Sequence, residues 1–128
     1  MRGVPSLITD TRKKVFTEVA RLAYEGEDYT RIGELPYKIV PGDQAVHRTS
    51  IFLERAIVGE RIRLAMGLPL QPVHEHMLIS DNVEDSAVAE KYYEPPLINI
   101  IPYACNACPT KQYKVTEHCQ NCLAQSCK

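Results

Sequence analysis

Five cysteines lie within the last 24 residues of this 128-residue chain, at Cys105, Cys108, Cys119, Cys122 and Cys127. They form two Cys-x2-Cys pairs separated by ten residues, followed by a single cysteine after four more. Two residues between thiolates allow a tight turn to direct both sulfurs at one metal centre, and two such pairs can close a tetrahedral site. The spacing therefore predicts a metal centre with sulfur ligands.

The rest of the sequence favours metal over disulfides as the role of these thiols. The N-terminus lacks the apolar run of about 7–15 residues that a secretory signal requires, and no stretch approaches the roughly 18 apolar residues of a membrane span. We therefore expect a cytoplasmic protein, where thiols stay reduced and clustered cysteines bind metal. The odd number of cysteines also fits disulfides poorly.

Spacing alone leaves the metal open. A structural zinc site would use Cys105, Cys108, Cys119 and Cys122, with residues 109–118 as the hairpin between the two pairs. That arrangement leaves Cys127 without a role. An iron–sulfur cluster would instead use Cys119, Cys122 and Cys127 as three members of a closely spaced run, with a fourth ligand beyond Lys128. The third alternative is a helical domain whose cysteines hold no metal.

Two long helices and a shorter one are predicted to position this segment. The first covers about residues 10–25, with Thr9 or Asp10 as its cap, and the second covers about 50–66, ended by Gly67. The shorter one covers 83–92, with Asp81 and Glu84 in the form of a capping box. The apolar face of the first helix consists of Val15, Phe16, Val19, Ala20, Leu22 and Ala23. We predict a mainly α fold.

Little strand is expected between the helices. Residues 35–40 read as a short extended piece that a turn at 41–43 ends, and residues 68–80 read as irregular chain. Residues 97–101 form an apolar run suited to a buried strand or extended segment leading into the cysteines. The chain is thus predicted to divide into a helical N-terminal domain, 1–101, and a cysteine-rich metal-binding segment, 102–128.

The second helix carries two apolar stripes rather than one. One stripe contains Ile51, Val58, Ile62 and Ala65, the other Leu53, Ile57 and Leu64, and the edges between them hold Glu54, Arg55, Glu60 and Arg61. Such a helix is expected to be covered on two sides. Either the first helix and the 84–101 region cover the two stripes, or one stripe meets a partner or a further part of a longer polypeptide.

Charge and the remaining polar motifs exclude other classes of function. The net charge of −1 argues against a nucleic-acid or membrane partner, and the basic cluster Arg12, Lys13 and Lys14 is expected on a solvated helix face. The motif His74-Glu75-His76 is interpreted as a surface loop in preference to a metal site. His118 is expected to be a polar neighbour of the site, and His47 an ordinary residue before the second helix.

Several segments of the chain resemble the N-terminal region of one group of iron-only, or [FeFe], hydrogenases of anaerobic bacteria. The similarity is carried by residues 92–109 (YYEPPLINIIPYACNACP) and 115–124 (VTEHCQNCLA), continuing to Cys127. Earlier pieces fit as well, at residues 12–20 (RKKVFTEVA), 35–42 (LPYKIVPG) and 52–58 (FLERAIV). The resemblance covers nearly the whole chain.

This resemblance implies an electron-relay role. In the family, a ferredoxin-like region with [4Fe–4S] clusters exchanges electrons with a separate hydrogen-activating domain, and a ferredoxin serves as redox partner. Carried over by position, Cys119, Cys122 and Cys127 would ligate a [4Fe–4S] cluster, while Cys105 and Cys108 match a preceding motif that binds a cluster or another metal. The family's catalytic domain has no counterpart in these residues. We therefore expect an N-terminal fragment, inactive by itself, of a longer hydrogenase-like oxidoreductase.

Overall fold

The computed structural model describes residues 6–26, 29–87, 99–105 and 119. Within these ranges the chain is mainly helical and contains no strand, which confirms the mainly α part of the predicted fold. Its α-helices are α1 (Leu7–Glu25), α2 (Leu35–Ile39) and α3 (Ile51–Ala65). Short 3-10 helices cover Tyr29–Glu34, Val83–Ala87 and Pro102–Ala104. None of the helices in the described ranges is both long and apolar enough to cross a bilayer.

Helix α1 begins three residues earlier than predicted. The backbone amide of Thr9 donates to the side-chain oxygen of Ser6 at 3.2 Å, so Ser6 is the cap and the assignment to Thr9 or Asp10 was wrong. A serine hydroxyl at this position satisfies one of the amides that a helix start leaves without a carbonyl partner.

The buried face of α1 is narrower than its sequence suggests. Val15 and Leu22 are buried and Val19 packs against them, while Phe16 is 60% exposed and Ala20 and Ala23 lie at the surface. The prediction of a broad apolar face was therefore wrong for these last three residues. Arg12, Lys13 and Lys14 are all exposed, as expected for a solvated face.

Helix α3 has the predicted bounds to within one residue. The hydroxyl of Ser50 accepts from the amide of Leu53 at 3.2 Å at its start, and Gly67 follows its end with φ +76°. Glycine reaches this left-handed conformation without the steric cost that a Cβ atom would add. Ser50 and Gly67 thus mark the two ends of the helix.

Helix α2 replaces the extended piece that was predicted for residues 35–40. Leu35, Pro36 and Ile39 are buried, and this i, i+1, i+4 spacing is helical. Pro36 lies in the first turn, where its missing amide removes no helical hydrogen bond. The turn that follows was predicted correctly, since Gly42 has φ +85°.

One hydrophobic core joins α1, α2, α3 and the 29–34 turn. It consists of Val15, Leu22, Ile32, Leu35, Ile39, Val58 and Ile62. Helix α1 covers one stripe of α3, as the first alternative predicted. In the second stripe Ile57 is buried inside this chain, and Leu53 and Leu64 are partly exposed. That a further partner covers this stripe stays a prediction.

The irregular stretch predicted for residues 68–80 is confirmed, and a buried arginine of α3 helps to hold it in place. Arg63 has no exposed surface and donates to the carbonyl oxygens of Pro69 (3.0 Å), Ile79 (3.0 Å) and Asp81 (2.8 Å). Gly59 permits the close approach on the same side, because a Cβ atom there would lie 2.9 Å from Cδ1 of Ile79.

The third predicted helix is a short 3-10 helix, Val83–Ala87, and its continuation over 88–92 lies outside the described residues. The capping box was wrong. The side chain of Asp81 accepts from the amide of Leu78 at 2.6 Å, upstream of the turn that it was predicted to cap.

We predict that Arg63→Met lowers the free energy of unfolding by about 2–4 kcal/mol, because methionine fills similar space but leaves buried carbonyls without donors. Urea unfolding followed by far-UV circular dichroism measures the change. Arg21→Met is the matched control, since Arg21 forms an exposed ion pair with Glu18 and should cost less than about 0.5 kcal/mol. Equal urea midpoints of unfolding for the two variants would contradict the role of Arg63 in holding residues 68–80 against α3.

Candidate functional site

Two of the five cysteines fall within the described residues. Cys105 and Cys119 are free thiols with exposed side chains. Cys108, Cys122, Cys127 and His118 lie outside the described residues, as do residues 97 and 98 of the predicted apolar run. In the described part of the chain no three cysteine, histidine or acidic side chains come together in a way that could hold a metal ion.

The residues before Cys105 are fixed by one buried side chain and a turn. Ile101 is only 8% exposed, whereas Asn99 and Ile100 are exposed, so among the described residues of the predicted run only Ile101 is buried. Pro102–Ala104 then forms a 3-10 turn, in which the amide of Cys105 donates to the Pro102 carbonyl at 3.2 Å. The backbone of Cys105 is therefore held by the turn that precedes it.

Two side-chain contacts attach this turn to the helical core. Arg48 donates from Nη2 to the carbonyl of Ala104 at 3.0 Å, and the Tyr103 hydroxyl donates to the carbonyl of Ala56 at 3.3 Å. Burial of the Tyr103 phenol, with the negative charge of Glu60 beside it, raises its pKa above the ordinary value. The phenol therefore stays a neutral donor at neutral pH.

Glu54 holds the loop from which Arg48 extends. Its Oε1 atom accepts from the backbone amides of Val46 (2.9 Å), His47 (2.7 Å) and Arg48 (2.9 Å). Burial raises the pKa of Glu54, but the three amides and the nearby His47 ring lower it by more, so that the net pKa is below its ordinary value. The carboxylate stays ionised and fixes the backbone on which Arg48 stands.

The burial of Glu54 and Glu60 on α3 was not predicted from the sequence. Glu54 and Glu60 were expected at the edges of α3, yet they are only 4% and 3% exposed. The Oε2 atom of Glu60 accepts from the amide of Gln71 at 3.1 Å, as Glu54 does from the 46–48 loop. The signal was present in the sequence, because charges between two buried stripes of a helix must themselves be buried and need hydrogen-bond partners.

The other histidines have ordinary environments. His74, Glu75 and His76 are exposed in irregular chain, which confirms the interpretation as a surface loop. Nε2 of His74 lies 3.5 Å from Oε1 of Glu75. His47 precedes α3 as expected. Its backbone amide donates a hydrogen bond to Glu54, which gives the residue a structural role that the sequence did not indicate.

Comparison with protein-family models, curated proteins and solved structures finds no match.

We predict that Glu54→Gln destabilises the protein by about 1–3 kcal/mol at neutral pH, because charge-assisted hydrogen bonds become neutral ones. The folded-state pKa lies below its ordinary value of 4.5, so this stabilisation is complete above that pH and is lost as pH falls through the folded pKa. Urea unfolding between neutral and acidic pH should show the two proteins converging in acid. Glu84→Gln, at an exposed position, serves as control. If the difference in free energy of unfolding between Glu54→Gln and the unsubstituted protein did not change with pH, the stabilising role of the Glu54 charge would be refuted.

We also predict that Arg48→Met and Tyr103→Phe release the turn before Cys105. Each removes a hydrogen bond between the turn and the helical core, worth about 0.5–1.5 kcal/mol, so hydrogen exchange of the Ala104 and Cys105 amides should accelerate at least about 2- to 10-fold. Tyr24→Phe is the matched control, because Tyr24 is 93% exposed on α1. Unchanged exchange in both test variants would show that other contacts hold the turn.

Proposed function

We propose that this chain is the N-terminal portion of an iron–sulfur electron-relay protein of the [FeFe]-hydrogenase type. The helical residues 1–101 would serve as a support, and residues 102–128 as the start of a ferredoxin-like cluster-binding region. Hydrogen activation is assigned to a separate domain of a longer polypeptide, with a ferredoxin as the external redox partner. These 128 residues would contribute to cluster binding and electron relay, and would be inactive as a hydrogenase by themselves.

The observation that carries the proposal is the attachment of the turn before Cys105. Ile101 is buried, Arg48 donates to the Ala104 carbonyl of the turn, and Tyr103 within the turn donates to the Ala56 carbonyl of α3. A fixed backbone immediately before the first cysteine of a Cys-x2-Cys pair suits a metal centre. Ligands that are held in place before the metal binds lose less entropy on binding. The resemblance in sequence, which includes this same turn, adds the identity of the cluster.

The thiols that the structure describes fit the donor set of such a centre. Cys105 and Cys119 are free and accessible, and iron–sulfur clusters bind cysteine thiolates. We assign Cys119, Cys122 and Cys127 to a [4Fe–4S] cluster, and Cys105 and Cys108 to a preceding site. When bound, the cluster would accept and donate single electrons at a potential set by burial and by hydrogen bonds to the sulfurs.

A structural zinc module for protein interaction is the second candidate. It is favoured by the two Cys-x2-Cys pairs, whose spacing suits a tetrahedral site formed by Cys105, Cys108, Cys119 and Cys122. The two functions differ at Cys127, which the cluster needs and the zinc site does not.

The test is purification of the full chain without oxygen, followed by reconstitution with iron and sulfide and analysis for iron, acid-labile sulfide and zinc. We expect a brown protein whose visible absorption is bleached by dithionite. Cys127→Ser should remove about one cluster's worth of iron, since a cluster needs its thiolates, while Ser126→Ala is the matched control. Colourless protein with one zinc per chain, retained in Cys127→Ser, would establish the zinc module and overturn the relay.

A further inference from the structure

A cleft of about 400 Å³ opens between α1 and α3 and is bordered by the segment before Cys105. Two arginines from opposite elements line it, Arg12 of α1 and Arg61 of α3. Its volume falls in the range of about 300–1,000 Å³ that small-molecule sites occupy. The cleft therefore has the size and the charge to receive a small anion.

These two arginines lack the partners that the other arginines have. Among the described residues, no carboxylate lies within ion-pair distance of Arg12 or Arg61, and neither side chain donates a hydrogen bond to this part of the chain. Every other arginine in the described ranges is bound. Their partners are Glu18 for Arg21, Glu25 for Arg31, Ala104 for Arg48, Val40 and Gly42 for Arg55, and three carbonyls for Arg63.

The arrangement is electrostatically unfavourable without a ligand. Burial, and then repulsion from Arg12 and Arg48, lowers the pKa of the Arg61 guanidinium. Like charges placed together with no counter-charge oppose folding, and an anion bound between them would remove that cost. Guanidinium groups also present paired N–H donors that match the oxygens of phosphate and carboxylate.

Much of the remaining wall of the cleft is apolar. Val15, Phe16, Leu64 and Ile101 line it, and the segment that borders it adds the polar side chain of Asn99 and the thiol of Cys105. Phe16 is 60% exposed, which is unusual for a phenylalanine that has a buried core beside it on the same helix. An apolar wall next to a cationic rim suits a ligand that has an anionic head and a hydrocarbon part.

We propose that this cleft binds a small amphipathic oxyanion, a phosphate- or carboxylate-bearing molecule whose head lies between Arg12 and Arg61 and whose apolar part lies against Phe16. Cys105 also lines the cleft, so the site adjoins the proposed metal-binding segment, but Arg12, Arg61 and Phe16 are assigned to no metal and are tested on metal-free protein. Binding would also stabilise the packing of α1 against α3, since the two arginines belong to different helices.

The test is isothermal titration calorimetry on the metal-free, reduced 128-residue chain at constant ionic strength. The probes are hexyl phosphate, hexanoate, inorganic phosphate and 1-hexanol, so that head and tail are varied separately. We expect one saturable site for hexyl phosphate or hexanoate, with affinity at least about tenfold above those of inorganic phosphate and hexanol. Preference for hexyl phosphate identifies a phosphate ligand, and preference for hexanoate a carboxylate; both support the site.

Matched variants locate the binding. Arg12→Gln and Arg61→Gln should each weaken it by about tenfold, while Lys13→Gln, which removes the same charge from α1 outside the cleft, should change it by less than about twofold. Phe16→Ala should reduce the advantage of hexyl over inorganic phosphate, and Tyr24→Ala should not. Circular dichroism confirms folding, and the exposed Arg12 provides a variant that cannot disturb the core.

Three results would overturn the proposal. The first is no saturable heat with either hexyl probe. The second is an equal loss of affinity in Lys13→Gln and Arg61→Gln, which would mean attraction by overall charge alone. The third is equal affinity for inorganic and hexyl phosphate, which would leave the apolar wall without a role.

Discussion

The fold depends on the hydrogen bonds that the buried charges of α3 make to the irregular chain around it. Glu54, Glu60 and Arg63 each lie almost fully out of solvent. Each binds backbone groups from a segment with no regular structure, amides in the case of the two glutamates and carbonyls in the case of the arginine. A buried charge without such partners would destabilise the fold by several kcal/mol. Each buried side chain therefore depends on the loop that it binds, and the loop depends on the side chain for its position. One helix of fifteen residues therefore organises much of the chain that follows α2.

This constraint extends to the cysteine segment through a short series of contacts. Glu54 fixes the amides of residues 46–48, and Arg48 reaches from that loop to the Ala104 carbonyl, one residue before Cys105. The position of the first thiol thus depends on a carboxylate that is far from it in sequence and is not itself a ligand. The buried charges of α3 therefore hold the backbone immediately before Cys105 through contacts that are distant in sequence.

The sequence predicted the ends of α3, which local capping chemistry determines, but it missed the local cap of α1 at Ser6 and failed where tertiary contacts decide. The ends of α3 follow from Ser50 and Gly67, whose capping chemistry is local. By contrast, residues 35–39 contain proline and β-branched isoleucine and read as extended, but the burial of Leu35 and Ile39 against the core selects a helix. At the site, cysteine spacing indicated metal chemistry. It gave no indication of the Glu54–Arg48–Ala104 series, because those contacts join residues far apart in the chain.

The same helix contains charges that bind the chain's own backbone and one that has no such partner among the described residues. Arg63 donates to three carbonyl oxygens, although its Nη2 atom has no partner there, whereas Arg61, two residues earlier, donates to no acceptor in the described chain and is repelled by Arg12 and Arg48. Since two residues turn a helix by roughly 200°, these side chains face nearly opposite directions, one into the core and one toward α1. Arg63 is surrounded by backbone carbonyls of this chain. Arg61 lines the cleft that Arg12 borders from α1. Stability on one face of α3 and binding capacity on the other are consistent with a helix that serves as structural centre and as the wall of a site.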